Sequence, residues 1–148
     1  MKIKLEHGYI SVVSRRITYW SGLTSGTPEL VRAAAFFPFI FFRSEEEKMP
    51  WVINHERIHF RQQLETLFVG FLLLEIGEIL YVRFVLRKNT KDAYLWYSWE
   101  QEAYRNQQDQ EYLKHRKIWS LFKYMKDKKI FTFGKPGEII FTTEQNTQ

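Results

Sequence analysis

His55, Glu56 and His59 stand in the order His-Glu-x-x-His inside the stretch NHERIHFRQ, residues 54–62. On a helix, residues four apart differ by about 40° of rotation and 6 Å of rise, so both imidazoles leave from one face. Two ring nitrogens can then close on one ion at about 2.0–2.1 Å. Glu56 is turned about 100° from His55 and stands beside such an ion rather than on it. From there its carboxylate can take a proton from an activated water and hand it to a leaving amine. Four histidines and fourteen glutamates placed at random give this pattern about once in a hundred chains, so two histidines on an ordinary helix surface is the weaker explanation.

Zinc held by two imidazoles needs a third protein ligand and keeps a fourth position for water. SWEQEAYRN, residues 98–106, supplies Glu100 and Glu102 on a downstream helix. His-Glu-x-x-His followed by such a glutamate resembles the gluzincin class of zinc metallopeptidases, several families of which write the second motif as Glu-x-x-Ala-Asp or Glu-x-Glu-Ala-Asn. Here Glu100-Gln101-Glu102-Ala103-Tyr104 takes its place. The resemblance implies Zn2+ as cofactor, His55, His59 and Glu100 as its ligands with Glu102 in reserve, and a peptide or protein substrate. It makes Glu56 the general base and then the general acid. Tyr104 replaces the acid or amide that orients a ligand histidine in those families, and Asn106, four after Glu102, offers the other register. Tyr104, or another tyrosine of that helix, is the candidate oxyanion donor. The class also implies an edge strand that holds extended peptide, and FFPFIFF, residues 36–42, precedes the motif suitably. A plain core strand explains that stretch equally well.

The remaining ionisable candidates read as structural. His7 falls in a turn and His115 in the basic LKHRK, both ordinary surface positions. Glu75 and Glu78 sit on an apolar helix, to be paired with Arg83 or Arg87 or to line a polar cavity. Glu65, six after His59, faces away from the ion.

These residues need an α+β scaffold: a small N-terminal antiparallel sheet packed on a helical core that carries the motif helix and the downstream glutamate helix. Residues 1–20 read as two strands, KIKLEHGYISVV with its spacing broken at His7-Gly8 and RRITYW after it, followed by SGLTSGTPE as a loop and LVRAAA as a short helix. AFFPFIFFRS reads as one strand with Pro38 at an edge or bulge. Helical pattern runs from Trp51 to Leu86 and again from Ala93 past Lys114. KKIFTFGKPGEIIF closes with two β-like pieces around a Gly-Lys-Pro-Gly turn, and TTEQNTQ is a loose tail. The expected organisation is one domain over 1–148, sheet-rich to about residue 50, helical with the metal site over 51–118, and basic over 119–148.

Chain geometry restricts the first long helix. Were 51–86 straight and the chain to turn near Asn89, His59 would lie about 45 Å before the turn and Glu100 about 16 Å after it. A shared ion therefore requires a break, and Gly70 and Gly77 are the cheapest places for one.

Composition bounds the rest. The 148 residues are 45% hydrophobic and 18% aromatic with no cysteine, which argues against disorder for most of the chain and excludes a disulfide framework and thiolate ligands. The net charge of +5 is concentrated: residues 111–136 hold eight lysines and arginines against two acids. With Trp119, Phe122, Tyr124 and Phe131 interleaved, that segment is a solvated face or a contact for a membrane surface, with nucleic acid the lesser option. Leu67 to Leu86 has spanning length, but Glu75, Glu78 and Arg83 each cost about 2.5–3.5 kcal/mol at mid-bilayer against about 0.3–0.6 gained per large apolar residue. The sum is near zero, which favours a core or membrane-surface helix over a span. MKIKLEHGYISVVS lacks a secretory h-region, so the expected location is cytoplasmic with membrane association open. The alternative to a peptidase is a non-catalytic zinc-binding scaffold at a membrane surface or on nucleic acid.

Overall fold

In the computed structural model, which describes residues 1–25, 28, 31–133 and 139–141, Lys2–Glu6 (β1) and Tyr9–Val13 (β2) pair antiparallel. Gly8 closes the hairpin at φ 89°, a backbone state that favours glycine. Beyond Val13 the chain leaves the sheet as the helix Arg15–Ser25 (α1) and returns as Ala33–Phe36 (β3) and Phe39–Phe42 (β4). The strand order is β1-β2-β4-β3, with β2 and β4 parallel.

The class is α+β as expected, but the sheet is mixed, and the parallel pair explains why. Parallel neighbours cannot be joined by a hairpin, so the segment between them must cross over. RRITYW, expected as a strand, belongs to that crossover helix; Thr18, on its inner side, is fully buried and its hydroxyl donates to the Ser14 and Arg15 carbonyls. LVRAAA, expected as a helix, ends in β3, where small alanines admit close packing of a helix: Ala33 shares a core with Ile40, Phe42, Val52 and Phe60. AFFPFIFF is a hairpin rather than one strand, reversing at the cis Phe37–Pro38 bond.

Pro50–Glu65 (α2) packs along β3. Leu67 and Phe68 then take φ of 54° and 57°, and Val69–Leu80 (α3) departs in a new direction, continued by a π-helical turn over Tyr81–Val85. The break thus falls just ahead of Gly70, while the helix runs through Gly77 undisturbed. The second helical stretch is also divided, into Thr90–Trp96 (α4), Ser98–Asn106 (α5) and Tyr112–His115 (α6). Tertiary hydrogen bonds replace the missing helical ones. Glu78 accepts from the Ser98 N–H at 2.7 Å, and Asn54 Nδ2 donates to the carbonyls of Asn106, Gln107 and Asp109. Leu121–Lys126 (α7) follows, then Phe131–Phe133 (β5) paired antiparallel with Ile139–Phe141 (β6). The Gly-Lys-Pro-Gly turn, most of the loop after Ser25 and the tail TTEQNTQ lie outside the described residues.

One core joins α3, α4 and α5 through Phe71, Val82, Tyr94, Tyr97 and Trp99; another joins α2 to α5 through Ile58 and Ala103. Together they bring the motif helix against the glutamate helix.

Candidate metal centre

α2 opens at Pro50, which has no N–H to leave unsatisfied in the first turn. Its inward face carries His55, Glu56 and His59, each under one-tenth exposed, and Glu100 meets them from the first turn of α5. His55 Nε2 lies 3.1 Å from His59 Nε2 and 3.4 Å from Glu100 Oε2; His59 Nε2 lies 3.9 Å from Glu100 Oε1. Ligand atoms held tetrahedrally at 2.0–2.1 Å from one ion stand about 3.3 Å apart, close to the 3.1 Å between the rings and the 3.4 and 3.9 Å from them to the two Glu100 oxygens, so the three side chains leave room for one ion.

Hydrogen bonding fixes which ring nitrogens face inward. Gln62 Nε2 donates to the Trp99 carbonyl at 3.2 Å and to Glu102 Oε2 at 2.8 Å, which turns Gln62 Oε1 toward His59 Nδ1 at 2.7 Å. An amide oxygen only accepts, so the hydrogen is on His59 Nδ1 and the lone pair is on Nε2. Gln107 Oε1 holds His55 Nδ1 likewise at 3.1 Å. Two ring lone pairs and a carboxylate converge, and Glu100 Oε2 is buried with no hydrogen-bond donor. Acceptors so placed repel unless a proton or a cation lies among them, and two imidazoles with one carboxylate are a donor set for a divalent transition metal. His55, His59 and Glu100, all within 4.8 Å of one another, can hold such an ion.

Charges at the site follow from burial and neighbours. Burial disfavours charged His55, yet the Glu100 carboxylate outweighs it and holds the His55 pKa above its usual value. Burial holds His59 below its usual value. Glu100 is pushed up by burial but pulled further down by His55 and His59, so it stays ionised.

Glu102 does not share the site. Its carboxylate, fully buried, accepts from Arg116 Nε at 2.6 Å, Tyr112 at 2.9 Å and Gln62 at 2.8 Å. Arg116 also pairs with Glu65, which faces away from the triad as expected. Glu102 thus anchors Gln62, and Gln62 orients His59. Asn106 donates to the Glu102 carbonyl and to the Tyr124 hydroxyl. His7 and His115 are exposed, His115 beside Asp109.

A cavity of 360 Å³ opens against the triad, and Glu56, Glu75, Tyr94 and Ala33–Ala35 of β3 are among the residues lining it. Burial pushes the Glu56 carboxyl up to about 7, partly offset by His55, with Glu100 adding to the rise and a backbone hydrogen bond from Ala35 lowering it. Glu75 is likewise raised to about 7 by burial and by Glu100. Of the two helix acids, Glu78 makes the structural pair, with Lys128 at 2.6 Å, and Glu75 faces the cavity. The Tyr104 ring stands edge-on to His55 at 4.5 Å and its hydroxyl donates to Tyr94 at 3.3 Å. Tyr94 lines the cavity, whereas Tyr104 packs behind His55.

β3 is the sheet edge nearest the triad. Arg43 N bonds Arg32 O, and strand alternation then aims the N–H and C=O of Ala33 and Ala35 away from β4. Gln63 confirms this orientation by donating to Ala35 O, and it accepts from Phe37 N.

Of the cations at the C-terminal end, Arg116 and Lys128 are bound internally, so that segment is less basic toward solvent than its composition. No helix among the described residues is long and apolar enough to cross a membrane. Gln62 and Gln107 were not among the residues singled out from the sequence, and Tyr94 was covered only as another tyrosine of the helix expected from Ala93 onward. Gln62 had a signal, lying three residues after His59 on the same face, whereas Gln107 reaches the site from another element. No family model, curated protein or solved structure matches the chain.

Proposed function

We propose that the chain is a zinc-dependent metallopeptidase of gluzincin type, hydrolysing peptide bonds. One observation carries the reading: His55, His59 and Glu100, which can hold an ion, border the same cavity as an acid, Glu56, that lies outside their group. Structural zinc sites close with four protein ligands, whereas catalytic ones use three and keep a position open. When bound, the ion supplies a Lewis acid that polarises a carbonyl and acidifies water. Glu56, with a pKa raised to about 7, is matched to taking a proton from water and returning it to the leaving amine near neutrality. The outward N–H and C=O of Ala33 offer an extended peptide strand-like hydrogen bonds. Tyr94, at the cavity wall, takes the role of oxyanion donor in preference to Tyr104.

The test is cleavage of a degenerate peptide library by the zinc-loaded protein, read by mass spectrometry, beside Glu56→Gln. Cleavage that disappears in the variant while zinc stays bound supports the reading. A zinc-loaded parent that cuts nothing in the library assigns the ion to a non-catalytic scaffold instead.

A further inference from the structure

α3 is inverted relative to an ordinary surface helix. Val69, Leu72, Leu73, Ile76 and Leu80 are all exposed, Leu73 by 65%. At 100° per residue they fall within an arc of about 100° on one face. Its two acids point the other way, Glu78 to Ser98 and Lys128 and Glu75 into the metal cavity. Phe84 in the π-helical turn is 75% exposed. At the other end of α3 a groove, apolar apart from Glu65 and Thr66 and lined also by Gly70, Leu73, Trp119 and Phe122, joins the helix to the start of α7. Contiguous apolar surface on this scale marks a docking face.

The border of that face is cationic. Arg87 follows the π-helical turn, while Lys117 and Lys123 flank the groove residues Trp119 and Phe122 in the chain, and all three cations are exposed. Between residues 65 and 88 the acids are Glu65, Glu75 and Glu78: Glu75 faces the metal cavity, Glu78 pairs with Lys128, and Glu65, at the wall of the groove, is neutralised by the Arg116 guanidinium. A second copy set on this face would bring like charges together. An anionic lipid surface meets both features, apolar side chains entering the acyl boundary and cations facing head groups, with Tyr81 and Trp119 suited to the interface between them. α3 and its π-helical continuation run over residues 69–85, about 25 Å against a hydrocarbon core of about 30 Å, and no described helix is long and apolar enough to cross a bilayer.

We propose that the outward face of α3, with the Trp119–Phe122 groove, docks the protein on the surface of an anionic bilayer. Leu72 and Ile76 belong both to this stripe and to the wall of the metal cavity, so the cavity mouth borders the lipid surface. Peptide segments lying at the membrane interface are then the substrates best presented to the site, a consequence that rests on the peptidase reading, whereas docking itself does not.

The experiment is co-sedimentation of the full chain with vesicles of phosphatidylcholine alone and of phosphatidylcholine with phosphatidylserine. The parent should sediment with the anionic vesicles and far less with the neutral ones. Leu73→Glu combined with Phe84→Glu should lower the bound fraction at least about tenfold, since each change removes apolar insertion and adds repulsion. Both side chains are exposed, and an unchanged melting temperature and zinc content show that the fold is intact. No binding of the parent to anionic vesicles overturns the proposal, as does equal binding by the double variant. A concentration-dependent dimer abolished by the same two changes, without vesicle binding, assigns the face to a second copy and overturns it too.

Discussion

Replacing Gln62 by methionine is expected to weaken zinc binding about 10- to 100-fold without touching a ligand. Gln62 is fully buried, and its amide makes three bonds: Oε1 accepts from His59 Nδ1 at 2.7 Å, and Nε2 donates to Glu102 and to the Trp99 carbonyl. Methionine fills the volume but offers neither partner. His59 loses the acceptor that keeps its Nε2 lone pair on the ion, and at 1.4 kcal/mol per tenfold the affinity loss is about 1.4–2.8 kcal/mol. The buried Nδ1–H left without an acceptor costs about 1–3 kcal/mol of fold stability as well. Competition against a chromophoric chelator measures the affinity, and a melting curve after chelation measures the fold separately. Affinity within twofold of the parent would refute the orienting role of Gln62 and the tautomer inferred from it.

Further outcomes follow from the same interactions. Glu56 has a folded pKa of about 7 against an ordinary 4.5, so its favourable contribution is complete below about 4.5 and is lost as pH rises through 7. Metal-free Glu56→Gln should therefore gain on the parent by up to about 3 kcal/mol between pH 4.5 and 8 in denaturant unfolding, and a pH-independent difference contradicts this. Arg116→Met strands the Glu102 carboxylate, fully buried, without its cation and should cost about 3–5 kcal/mol in urea unfolding; a cost under about 1 kcal/mol refutes the pairing. Leu67→Gly relieves a left-handed residue whose side chain is 80% exposed and should raise stability by about 0.5–1 kcal/mol, while a lower melting temperature would show that the leucine side chain holds the break.

The triad was legible because its signal is local and periodic: two histidines four apart, then a glutamate in a helical stretch. Glu100 and Glu102 are separated by about 200° around a helix, so only one of them can face the ion. Choosing between them took knowledge of Arg116, fourteen residues beyond Glu102, which no local pattern links to it. The helix break was required by the distance from His59 to Glu100, but its position was set by Phe68 turning onto the rings of Phe36 and Phe37, a contact between distant segments. α1 and β3 were exchanged for a similar reason. Ile17, Thr18 and Tyr19 favour strands and Ala33–Ala35 a helix, and the parallel β2–β4 pair overrode both preferences. The apolar run from Leu67 to Leu86 gave its composition in the sequence; that its acids point inward and its leucines outward depends on Lys128 and Ser98.

The metal centre is tested by the zinc content of the purified protein, measured beside that of His59→Ala by elemental analysis. About one equivalent is expected in the parent and almost none in the variant, because two remaining ligands rarely retain the ion. A parent without bound metal after incubation with zinc, or a variant that keeps a full equivalent, would contradict a metal centre at His55, His59 and Glu100.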